Sequence, residues 1–198
     1  VVAAWIAQLA RGILTLALGL TITLTLDHTP QFGLVTFGVF AVLSGAVLLG
    51  ATLFGAYAGR WRPGFVAQGA ATFVAGAAAL VFSTGGVTYL ALLVGGWAVV
   101  TGLLEGAGGI LSRSRSLLAR DWILVGVLTV ALGVVVLLVP TDVEQVLVGE
   151  KGAAGTLTSP VILIGVIGAW AILVGVLQTI SAVTVRGARA RVEGEVAS

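Results

Sequence analysis

Arg11 and Glu105 are the two charged residues that stand inside long apolar stretches of this chain. On insertion scales either charge at the bilayer centre costs about 2.5–3.5 kcal/mol, so each needs a partner or a task. Gln8, Gln68 and Gln178 occupy comparable apolar surroundings. A carboxylate, a guanidinium and amides can form an ion pair, hold a small polar solute, or pass a proton. A lone carboxyl in apolar surroundings favours its neutral form, whereas one beside a guanidinium stays ionised. The residues leave both states open. They also leave open a structural reading, in which Arg11 snorkels to the interface and Glu105 bonds nearby polar groups.

Other chemistry is sparse. The chain has no Cys and one His, which excludes disulfides, thiol catalysis and any multi-His metal site in one chain. No phosphate-binding loop, zinc-protease helix or serine nucleophile elbow occurs. The expectation is a protein that is not an enzyme and needs no cofactor or metal. Outside the apolar stretches lie Asp27, His28, Asp142, Glu144 and Glu150. These are candidate acid-sensitive groups on the outer face, since His titrates in the mildly acidic range and carboxylates below it.

The elements that position these residues are apolar helices. Of 198 residues 59% are hydrophobic and 9% charged, with a mean hydropathy of +1.16. Soluble domains carry about 25% charge. Six segments are long enough to cross a bilayer, at roughly 4–26, 31–54, 63–82, 87–111, 121–139 and 161–185. The first keeps the register of the others and reads as a span, not a signal peptide. Arg60, Arg62, Arg113, Arg115, Arg120, Arg186, Arg189 and Arg191 fall in alternate connections and after the last span, while the remaining connections hold only Lys151. Basic residues stay on the cytoplasmic side, so both termini are expected there. The pI near 9.7 reflects this asymmetry and does not point to nucleic acid.

The spans repeat. Gly12-Thr15-Gly19, Gly69-Thr72-Gly76 and Gly126-Thr129-Gly133 recur every 57 residues. Gly38-Ala41-Gly45, Gly95-Ala98-Gly102 and Gly168-Ala171-Gly175 recur after 57 and then 73 residues. The spacing predicts three two-helix units over 4–56, 61–113 and 118–186, with an insertion at about 140–160 and a cytoplasmic tail over 187–198. Parallel repeats of this kind predict an all-α membrane bundle with pseudo-threefold symmetry along the membrane normal. Small residues at i, i+3 and i+7 share a helix face and let backbones approach closely. In this register Arg11 is equivalent to Gln68 and Val125, and Glu105 to Leu48 and Gln178. Arg11 and Glu105 fall at matched depth toward the cytoplasmic third, which predicts a shared polar cluster with the three Gln residues.

Three further expectations follow. Trp5, Trp61 and Trp122 mark a cytoplasmic interfacial belt. Phe40, Trp97 and Trp170 share one position, point away from the small face, and fill gaps between units or face lipid, with an aromatic constriction on the pseudo-axis as the alternative. In the insertion, the first half could form a short interfacial helix and the Gly/Thr/Ser-rich second half is irregular.

Three two-helix copies, an Arg11-Gly12 opening and Gly-x6-Gly stripes resemble the HdeD-like family of bacterial acid-resistance membrane proteins. The resemblance covers nearly the whole chain but departs at Gln68-Gly69, Val125-Gly126 and the long third outer loop. It implies a multi-pass protein of the bacterial plasma (inner) membrane, linked to acid or general stress. It would meet membrane lipids, and further copies or a membrane-protein partner. Two functions fit: a structural or interaction module, or a small channel or transporter for protons or small solutes using the polar layer.

Overall fold

Six long helices carry the chain in a computed structural model, which describes residues 4–57, 59, 61–114, 116–148 and 154–197. They are α1 (Ala4–Leu24), α2 (Pro30–Leu53), α3 (Arg62–Val81), α4 (Gly86–Leu111), α5 (Ala119–Leu138) and α6 (Ser159–Ala197). All six are long and apolar enough to cross a membrane. Turn chemistry sets the boundaries. Thr29 caps α2 by accepting the Phe32 N–H at 3.2 Å, and Pro30 opens the first turn. Arg60, Arg115, Glu150 and Lys151 lie outside the described residues. The tail expected over 187–198 is a continuation of α6 as far as Ala197.

Glycine decides which helices touch. A Cβ on Gly76 would stand 2.5 Å from Val42 N, one on Gly126 2.5 Å from Gly106 N, and one on Gly175 2.5 Å from Leu16 N. The stripes therefore close three seams: α2 on α3, α4 on α5, and α6 back on α1. Each joins the second helix of one two-helix stretch to the first helix of another. The last seam brings the two ends of the chain together, so the six helices form a closed ring. Within lipid, such van der Waals contact replaces the hydrophobic drive that packs soluble helices. The outward faces remain apolar, with Ile13, Val74, Leu103 and Leu138 among the exposed side chains.

Two expectations are corrected. Among the described residues of the insertion, the first half holds a strand in place of the expected helix, and the second half holds another in place of irregular chain. β1 (Glu144–Val148) and β2 (Ala154–Thr158) pair antiparallel, with Glu144 opposite Thr158 and Val148 opposite Ala154. The β-branched residues of both segments favour the extended form. Ser159 fastens the hairpin base to α6: its hydroxyl donates to Pro140 O at 2.8 Å and accepts from Val143 N at 2.8 Å. The second correction concerns Phe40, Trp97 and Trp170. They meet inside the ring, at centroid separations of 6.2, 6.3 and 5.7 Å with nearly perpendicular planes. The small faces turn sideways into the seams, so the side opposite them points to the centre.

Candidate functional site: a polar chamber inside the ring

The ring interior is layered by residue type. Its half away from the chain termini, the outer half, is apolar, built from Ile22, Leu34, Phe37, Leu90, Val94, Val136 and Ile164. Next comes the aromatic layer of Phe40, Trp97 and Trp170. Below it lie five hydroxyls, from Thr15, Thr72 and Thr129 on the odd helices and Ser44 and Thr101 on the even ones, all buried. Below these lie Arg11, Gln68, Glu105 and Gln178. These groups line one cavity of about 20 Å³. Glu105 is eight residues from Trp97, so charge and aromatic layers stand about 12 Å apart along α4.

α1 supplies Arg11 and α4 supplies Glu105, and the structure brings them together. Arg11 Nη1 donates to Glu105 Oε1 at 3.1 Å and Nη2 to Oε2 at 3.2 Å, a fork-on-fork pair. Gln68 Nε2 from α3 adds a third bond, to Glu105 Oε2 at 2.8 Å. Arg11 is 8% exposed and Glu105 3%. Three helices from two of the two-helix stretches, α1 of the first and α3 and α4 of the second, thus meet at one carboxylate. Gln178 borders the same cavity and makes no hydrogen bond to Glu105.

The hydroxyls are partly committed. Thr15, Thr72 and Thr129 each donate to the carbonyl four residues back, at 2.7–2.8 Å. Thr72 and Thr129 also accept the indole N–H of Trp97 at 3.2 Å and of Trp170 at 3.3 Å. These bonds hold the two indoles in place; Phe40 has no N–H to give. Thr101 donates to Trp97 O at 2.7 Å.

Beneath the charge layer the interior closes on a second aromatic group. Tyr57 packs on Phe65 at 4.7 Å, and Phe65 on Trp122 at 4.9 Å. Trp122 is 4% exposed, which corrects its place in an interfacial belt. In the 57-residue register it matches Phe65 and Gln8, all on the inward face of their helices. Trp61 stays near the surface and donates its indole N–H to Leu104 O at 3.2 Å. Trp5 stays near the surface too, with the Arg186 guanidinium 5.3 Å from its ring centre. Tyr57 comes from the α2–α3 connection yet is only 3% exposed. Burial pushes its hydroxyl up to about 12, against the pull of the Arg11 charge, so it is a neutral phenol at physiological pH.

Many polar atoms here lack a partner. Among the described residues the buried side-chain atoms without a hydrogen bond are Gln8 Oε1 and Nε2, Arg11 Nε, Tyr57 Oη, Gln68 Oε1, Trp122 Nε1 and Gln178 Oε1. All belong to the charge layer or the aromatic group beneath it. Each such atom costs about 1–3 kcal/mol if nothing satisfies it.

The outer-face candidates are separate from this chamber. Asp27 Oδ1 accepts the Thr29 N–H at 2.8 Å, and that bond lowers the carboxyl below its usual range. His28 Nδ1 lies 3.1 Å from Leu26 O. Asp142 and Glu144 are exposed at the hairpin base. The structure does not bring these four groups into one cluster.

Sequence reasoning reached Arg11, Glu105 and the three Gln residues. It missed Tyr57, because a loop tyrosine carries no repeat register. It also missed Ser44 and Thr101, which share one register position with Val174 and were within reach of the same alignment.

Residues 67–138, from α3 through α5, match the family described as a short repeat of unknown function (DUF308). That stretch contains Gln68 and Glu105 and leaves out Arg11 and Gln178. No curated protein and no solved structure matches the chain.

Proposed function

We propose that this is a non-enzymatic multi-pass protein of the bacterial plasma membrane whose central chamber handles protons or a solute of water size. The convergence of Arg11, Glu105 and Gln68 on a cavity inside the ring carries this reading. A polar cluster serving only to glue two helices would sit dry between them. Here it faces a central space rimmed by hydroxyls, and a cavity of about 20 Å³ suits one water-sized guest. The seams at matched register positions support a pseudo-threefold arrangement along the membrane normal. The Arg-rich connections support cytoplasmic termini. On this reading the apolar outer half and the aromatic layer are the closed side of the path.

A second reading is a structural or interaction module of the acid or general stress response, with lipids or further copies as partners. The glycine seams favour it, because they build a rigid ring with an apolar exterior. So does the resemblance to HdeD-like proteins, alongside the short-repeat match.

Proton flux into liposomes separates the two. With wild-type protein, dye-reported acidification should exceed that of protein-free liposomes, and Glu105→Gln should abolish the excess. Equal and negligible flux in both proteins would leave the structural reading.

A further inference from the structure

We infer that the chamber holds ordered water on the side of the aromatic layer that carries the chain termini, and is sealed by apolar packing from the opposite end. The polar layer around Glu105 would then meet water on one side only. The inference deepens the proposed function and rests on the same chamber.

Three observations carry it. First, the unpartnered polar atoms all lie on the termini side of the aromatic layer. Gln8 is fully buried with neither amide atom bonded, and it stands one helical turn nearer the chain start than Arg11. Tyr57 Oη and Trp122 Nε1 lie in the aromatic group beneath the charge layer, also unbonded. Gln178 Oε1, Gln68 Oε1 and Arg11 Nε in the charge layer likewise have no protein partner. Water is the class of ligand that fits: it both donates and accepts, and it carries no charge into a layer where Arg11 and Glu105 already neutralise each other. Second, the cavity beside Glu105 measures about 20 Å³, against the roughly 10–15 Å³ that one water requires. A hydrated ion does not fit. Third, the outer half offers water nothing. Among the described residues no buried side-chain atom there lacks a partner, and its lining is Leu, Ile, Val, Ala and Phe. Empty apolar space stays dry. The charged or titratable groups that face Glu105 are Arg11 from α1 and Tyr57 from the α2–α3 connection.

Radiolytic hydroxyl-radical footprinting of the wild-type protein in nanodiscs tests this, because bound water is the radical source and buried side chains beside it are oxidised. After correction for intrinsic reactivity, Tyr57 and Trp122 should be oxidised at least tenfold faster than Phe37, which is equally buried in the outer half. Gln8→Leu, which removes two of the unpartnered atoms, should slow Trp122 labelling severalfold. Oxidation of Tyr57 and Trp122 at the Phe37 rate would overturn the inference. So would Phe37 rising to their rate, which means water on both sides. A dry chamber in a protein that conducts protons overturns this inference alone, and a wet chamber without flux overturns only the transport reading.

Discussion

Glu105 is satisfied by Arg11 and Gln68, and that arrangement makes the pair stable together and costly apart. Removing one partner of a buried ion pair strands the other charge in low dielectric, which costs about 3–5 kcal/mol. Glu105→Gln alone, or Arg11→Gln alone, should lower stability in detergent by roughly that amount. The double variant should lose clearly less than the sum of the two, since no charge is left unpaired. Thermal or denaturant unfolding of the four proteins gives the cycle directly. Additive losses would mean that the two groups are not coupled. The paired positions were legible in the sequence because both charges interrupt apolar runs at matched depth. The third partner was legible because Gln68 shares its register position with Arg11. Tyr57 was not, since a connection folded into the interior leaves no periodic trace, whereas the burial of Trp122, expected in the interfacial belt, could have been read from its register match to Phe65 and Gln8.

The helices owe their neighbours to glycine, and the consequence can be tested position by position. Gly126 has backbone atoms of α4 within 3 Å of where a Cβ would stand, whereas Gly165 has nothing within 4 Å. Gly126→Ala should therefore force α4 and α5 apart and cost about 1–3 kcal/mol, while Gly165→Ala should leave the unfolding midpoint unchanged or slightly raised. Equal effects would contradict the seam assignment. The stripes were readable from the repeat alone; their partners were not. A face of small residues says that something approaches, and only the fold shows that each stripe meets a helix of another two-helix stretch. The same gap explains the misplacement of Phe40, Trp97 and Trp170. Their angle from the stripe was right, but the stripe faces sideways, so that angle leads to the centre. The hairpin at 144–158 escaped because a short pair of strands between spans has little beyond β-branched residues to announce it.

At the scale of the whole molecule, six spans close into a ring whose interior runs from an apolar half, through an aromatic layer, to a charged and amide-rich half. In the proposed path the aromatic layer is the closed point and Glu105 the proton-handling group, in series. Both can be probed in one set of liposomes. Trp170→Ala removes an indole that packs on Phe40 and Trp97 at 6.3 and 5.7 Å, and it should loosen the layer. Proton flux through Trp170→Ala should exceed wild-type flux several-fold, and adding Glu105→Gln to the same protein should return it to the protein-free level. Unchanged flux in Trp170→Ala, or a rise that persists when Glu105 is replaced, would contradict a path that runs through the chamber.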